Sequence, residues 1–210
     1  MVSADACPAA AGVLYWFPKK SRKGLRKHMG NIQFDILDFI QNCLRTPVGD
    51  GVMPIITRLG NGGILWIVTG LLLMISRKHR KNGILLLTAL IVEALLCNVW
   101  LKNAVAAPRP CHLNPTVELL IACPQDYSFP SGHTGVSFAA VTALWLGKER
   151  RWYLALIPAL LIAFSRMYLY VHFPADILGG VLVGVISGFL AFGVIRILSG
   201  WYGKRKKFGV

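Results

Sequence analysis

Five apolar runs, each close in length to the thickness of a lipid bilayer, limit this chain more than any other feature. They cover residues 53–76, 83–101, 131–147, 152–170 and 175–198, and a helix needs about 20 apolar residues to cross a bilayer core. The first run is diluted by Arg58, Asn61 and three glycines (Gly60, Gly62, Gly63), and the third is short. Backbone in hydrocarbon must satisfy its own hydrogen bonds, so runs of this kind fold as helices. With 55% hydrophobic and 15% charged residues, the chain is too apolar for an ordinary soluble domain. The expected fold is all-α, a multi-pass transmembrane bundle of about five spans. A segment ahead of it, residues 32–44, puts Ile32, Ile36, Phe39, Ile40, Cys43 and Leu44 near one helical face and Asp35, Asp38 and Gln41 off it. That segment is expected to lie in the membrane interface without crossing.

The domain reading is a basic N-terminal tail over 1–30, one membrane domain over 31–200 and a basic C-terminal tail over 201–210. In the first stretch the apolar residues 9–17 precede the basic ones, the reverse of a secretory signal, so no cleaved leader is read there. A disordered basic tail and a translation start at Met29 both fit.

The net charge of +14 comes in short clusters beside apolar runs, at 77–81, 148–151 and 204–207. This is the pattern of loops held on the cytoplasmic side, and counting spans puts all three there. Residues 102–130 and 171–174 then face outside; the basic residues before position 28 disagree with the count. No basic groove interleaved with aromatics is present, so nucleic acid is excluded as a partner and the bilayer with its anionic headgroups is preferred. The five cysteines form no CxxC pair, which argues against a zinc or thioredoxin-type site. Cys111 and Cys123 share one outside segment, where a disulfide persists if it forms; a disulfide and two free thiols both remain open.

Phosphate-compatible groups concentrate on that outside face: Lys102 and Arg109, then Ser131, Gly132 and His133, then Arg166, His172 and Asp176. Ionisable groups at span ends are expensive to gather unless they share a cavity or an anionic ligand. Arginine offers phosphate a planar fork and lysine a point charge. Pro130 and Pro174 suit the first turns of helices whose free N–H groups point at an anion, and Asp176 falls where a helix start favours a carboxylate.

Read as K-x6-R-P (102–110), P-S-G-H (130–133) and S-R-x5-H-x3-D (165–176), the three stretches resemble the signature of the type 2 phosphatidic acid phosphatase (PAP2) superfamily, in order and over about half the chain. The resemblance implies a PAP2/haloperoxidase-like helical core with a phosphate pocket at its outer rim, using neither metal nor cofactor. It makes His172 the nucleophile that forms a phosphohistidine, Asp176 the carboxylate that orients it, and His133 the general acid for the leaving oxygen. Lys102, Arg109 and Arg166, with the Ser131 hydroxyl and the Gly132 N–H, are implied to hold the equatorial phosphate oxygens. The physics agrees, since an attacking imidazole needs an acceptor on its other nitrogen.

The implied substrate is a membrane lipid phosphate. Undecaprenyl diphosphate is the preferred expectation, with phosphatidylglycerophosphate or phosphatidic acid as the alternative. A vanadium haloperoxidase is disfavoured by the membrane frame, and a non-catalytic lipid-binding protein by the intact His172, His133 and Asp176. The cell membrane is the expected location, with the site facing outside the cytoplasm. Glu93, inside the second run, is expected to be structural. Gly179, Gly180, Gly184 and Gly188 are expected to serve close helix packing, and Tyr127 and Phe129 to line the pocket mouth.

Overall fold

The computed structural model describes residues 32–207, with side chains described as far as Ser199; the reading of residues 1–30 lies outside this range. All regular structure among the described residues is helical. Helix α1 (Ile32–Phe39) runs into a wide π-type turn, Ile40–Leu44. Helices α2 (Pro47–Leu59) and α3 (Ile64–Ile75) flank a short 3-10 turn. Helix α4 (Arg80–Ala94) continues through a π-type stretch, Leu95–Leu101, into α5 (Lys102–Val105), and α6 (Pro110–Leu113) follows. Next come α7 (Gly132–Leu146), α8 (Leu156–Tyr168) and α9 (Pro174–Lys207).

The first apolar run is a broken helix. Helices α2 and α3 meet at 49°, because Gly62 and Gly63 take φ values of 57° and 71°, a region open to glycine at little cost. The glycines that seemed only to dilute the span therefore place the break. By length and apolar character the continuous helix through α4 and the helix α9 qualify as spans alone, and the bent α2–α3 pair qualifies when taken as one. Residues 152–168 make a shorter apolar helix.

Helix α7 is the short central element. It packs against α4, α8 and α9, and Ala139, Ala140 and Ala143 are buried in a core with Trp66, Leu86, Ala89, Ala159 and Ala191. Small residues on α9 permit this approach: a Cβ on Gly180 would lie 2.6 Å from the Ser131 carbonyl, and one on Gly188 2.6 Å from Thr142 Cβ. Gly184 faces the Gly135 carbonyl in the same way. Outward, Leu71, Leu72, Leu178, Leu182 and Ile186 stay exposed, as lipid-facing surface does.

Helix α1 docks through a face that periodicity did not single out. Phe34 and Leu37 pack with Tyr170 and Phe173, and Ile40 is buried too, whereas Ile32, Ile36, Phe39 and Leu44 stay exposed. The basic loops 77–81 and 148–151 meet, since Glu149 accepts from Asn82 Nδ2 and contacts His79 Nδ1, both at 2.8 Å. They sit at the opposite ends of α4, α7 and α8 from Lys102, Gly132 and Tyr168. At that other end Cys111 and Cys123 are joined by a disulfide with Cα atoms 6.1 Å apart.

Candidate active site

Three helix ends deliver the sequence motifs to one place. Helix α8 closes in a Schellman motif: Tyr170 N–H reaches the Met167 carbonyl at 3.0 Å and Val171 N–H the Arg166 carbonyl at 3.1 Å. The left-handed position is Tyr170, at φ 57°, where a non-glycine residue is strained by about 1 kcal/mol. Its buried ring and hydroxyl, bonded to Asp38 Oδ1 at 3.0 Å, hold it there. This reversal explains the five-residue spacing, because it returns His172 beside Arg166. Helix α5 ends on Ala106 at φ 50°, and the chain then extends to Arg109, which precedes Pro110 at the first position of α6.

The three stretches share an open cavity of about 880 Å³. Lys102, Arg109, Gly132, His133, Arg166 and His172 all line it, together with Thr57, Asn61 and Asp126. The lining continues as apolar surface from Pro54, Ile67, Leu87, Leu90 and Ile91 on α2, α3 and α4.

His172 is 1% exposed and is held in one tautomer. Arg109 Nη1 lies 2.9 Å from its Nε2, and a guanidinium can only donate, so Nε2 is the unprotonated nitrogen and its lone pair accepts from Arg109. The other nitrogen, Nδ1, then carries the proton and faces Asp176 Oδ2 at 3.3 Å. Burial, followed by the charges of Arg109, Arg166 and Lys102, holds the imidazole well below the usual histidine range, so the ring is neutral. The Asp176 oxygen also accepts from Ser128 Oγ at 2.5 Å and from Phe173 N–H at 2.8 Å. The second contact is the reach-back of a helix-capping carboxylate, so Asp176 starts α9 and orients His172 at once.

The cations are built in. Arg109, 2% exposed, spends Nε on the Asp126 carbonyl at 2.8 Å and Nη2 on Asp126 Oδ1 at 2.7 Å. Lys102 pairs with the other Asp126 oxygen. Burial alone would raise the Asp126 carboxyl, but the hydrogen bond from Lys102 and the charge of Arg109 outweigh it and bring the group down to about 2. Arg166 donates to Thr57 Oγ1 at 2.6 Å, while its buried Nε finds no partner among the described residues. His133 Nε2 contacts Asn61 Oδ1 at 2.8 Å, so the break between α2 and α3 supports this second histidine. A Cβ on Gly60 would come within 2.7 Å of the same ring.

Two expectations change. The Ser131 hydroxyl is fully buried and caps α7, 3.0 Å from Thr134 Oγ1 and 3.5 Å from Thr134 N, and does not line the cavity. A hydroxyl at that position satisfies the open helix end before it can serve a ligand. Tyr127 is exposed, and Phe129 packs over Gly179, whose Cβ would lie 2.5 Å from the ring; the cavity wall there is Asp126 instead. Glu93 is fully buried in the space left by Gly135 and does not line the cavity. Ser128, Asp126 and Asn61 join the site without having been singled out. Only Asn61 carried a signal, as a polar residue within an apolar run.

Residues 82–198, more than half of the chain, match the model of the PAP2 superfamily. The chain belongs to the PAP2 superfamily. It is 38% identical to an undecaprenyl-diphosphatase of Sulfolobus acidocaldarius over 77% of this chain and 78% of the relative. The crystal structure of Aquifex aeolicus LpxE superposes with a TM-score of 0.67 at 32% identity, covering 77% of this chain and 95% of that one. A transmembrane PAP2-type phosphatidylglycerolphosphate phosphatase from Bacillus subtilis gives a TM-score of 0.61 at 28% identity, covering 82% and 90%. All three motif stretches fall within the PAP2 match, and the apolar helices make the chain a membrane protein of this superfamily.

Proposed function

We propose that residues 31–200 form one catalytic unit that removes the terminal phosphate of undecaprenyl diphosphate, at the outer face of the cell membrane and without a metal ion. The observation that carries the chemistry is Asp176 on Nδ1 of His172, which leaves the lone pair on Nε2, where Arg109 holds it until the phosphate draws the guanidinium onto its own oxygens. Nε2 attacks the terminal phosphorus, the bond to the bridging oxygen breaks, and undecaprenyl monophosphate leaves with a proton from His133. Water then attacks the phosphohistidine, gives its proton to His133, and orthophosphate departs with His172 restored. Lys102, Arg109, Arg166 and the N–H of Gly132 supply the positive field that this charge-dominated transfer requires. The name of the Sulfolobus relative supports the diphosphate, and the apolar wall running from the cavity along α2 to α4 suits a long hydrocarbon tail. The Bacillus structure favours phosphatidylglycerophosphate as the second reading.

Phosphate release by the purified protein in detergent with EDTA, compared across undecaprenyl diphosphate, phosphatidylglycerophosphate and phosphatidic acid, ranks the substrates. Loss of activity on chelation would overturn the metal-free mechanism. Rapid quench with terminally labelled substrate should trap label on the protein, and His172→Asn should abolish both label and turnover. For sidedness, cysteines placed in the 114–122 loop should react with an impermeant maleimide from outside intact cells; reaction from the cytoplasm alone sinks the outward orientation.

A further inference from the structure

Asp126 plays no part in the reaction just described, yet it stands where the substrate's charge belongs. Its carboxylate takes Arg109 Nη2 at 2.7 Å on one oxygen and Lys102 on the other, engaging two of the three cations of the cavity. The donors are buried, with side chains 2% and 10% exposed, whereas Asp126 is 52% exposed and lines the cavity. The guanidinium fork and the ammonium suit a carboxylate and a phosphate through the same geometry. Arg109 also donates to the backbone carbonyl of Asp126, so its edge stays anchored if the carboxylate swings away. The disulfide at Cys123, three residues upstream, keeps Asp126 beside Arg109 in either position, and tethering of this kind raises its effective concentration as a competitor.

Resting on the phosphate-site reading above, we propose that Asp126 is a tethered internal anion that competes with phosphate for Lys102 and Arg109 and so sets how tightly substrate and product are held. With Asp126 on the cations, the three positive groups face two carboxylates, Asp126 and Asp176, and the site carries one net positive charge. When Asp126 withdraws the site carries two, matching a phosphate dianion. Its return lowers the field that retains orthophosphate. Because the carboxyl stays ionised down to about pH 2, the competition is present at every working pH.

Asp126→Asn removes the charge while leaving Arg109 an acceptor of the same size. Inorganic phosphate and orthovanadate, measured as inhibitors and by titration calorimetry in detergent, should bind this variant about three- to ten-fold more tightly than wild type, the scale of a half-exposed ion pair. KM should fall with them, and Asp126→Glu should return all three towards wild type. Equal or weaker binding by Asp126→Asn, or no binding by either protein, overturns the proposal and leaves Asp126 as a brace for Arg109. Should Asp126→Asn fail to fold by thermal melt, Asp126→Ser gives the same comparison. The titrations need no turnover, so a wild type that binds phosphate but hydrolyses no lipid phosphate counts against the proposed function alone.

Discussion

Ser128 is the residue on which the orientation of His172 comes to depend, although nothing in its sequence surroundings singles it out. Its hydroxyl meets Asp176 Oδ2 at 2.5 Å and lies 3.4 Å from His172 Nδ1. A hydrogen bond to a charged acceptor is worth about 1.5–3 kcal/mol, so Ser128→Ala should lower kcat by about 10- to 100-fold while phosphate and vanadate still bind, as steady-state kinetics with inhibitor titration will show. The two serines in effect exchange roles: Ser131, expected on phosphate, closes a helix, and Ser128 serves the site. Motif spacing identifies which groups can do phosphate chemistry, but a hydroxyl's partner is set by whatever donor or acceptor folding leaves nearest. His172 also makes a prediction for stability. Its folded value lies below the ordinary one, so below about pH 6.5 the unfolded chain gains a proton that the folded chain refuses, and stability falls by up to about 1.4 kcal/mol per pH unit. Asp126 adds nothing in that window, since its own depressed value matters only below about pH 4. Melting His172→Gln beside wild type from pH 7 to pH 5 should show the shallower slope in the variant.

At the scale of elements, the α7–α9 contact is decided by glycines on one face of one helix. Gly184 lies against the Gly135 carbonyl, whereas nothing lies within 4 Å of a Cβ built on Gly193. Gly184→Ala should therefore destabilise the protein by about 1–3 kcal/mol through overpacking, and Gly193→Ala should raise stability by up to about 1 kcal/mol, since it only removes a glycine from a helix interior; thermal melts in one detergent compare them. The five apolar runs foretold these helices, and the small-residue spacing foretold this close approach. The α2–α3 break was less legible, because glycine in an apolar run signals dilution, packing or a break alike. Only the left-handed φ of Gly62 and Gly63 distinguishes the last. Helix α1 was misleading for a related reason: it is apolar on more than one side, so periodicity could not tell the face that docks on Tyr170 from the one left exposed.

Across the whole molecule, the site is assembled at one end of the bundle and closed by the 111–123 disulfide, while the basic loops gather at the other end. Closing a ring of this size restricts the unfolded chain by about 3 kcal/mol, so the double variant Cys111→Ser, Cys123→Ser should lose about 2–4 kcal/mol of stability and show an altered KM as Asp126 and Arg109 loosen together. Calorimetry and steady-state kinetics on that variant check both. The sequence by itself determined the helical frame, its apolar and basic ends, and the identities of most of the charged groups that line the cavity, because each is written locally in hydropathy, charge placement or motif spacing. The tertiary structure alone decided which of those groups meet. Asp126 reaches Lys102 across 24 residues, Ser128 reaches Asp176 across 48, and Asn61 reaches His133 across 72. Contacts over such separations follow from how helices cross, where one of them breaks and how a loop is tied, and the local marks these leave, glycines and a pair of cysteines, do not say which side chains will meet.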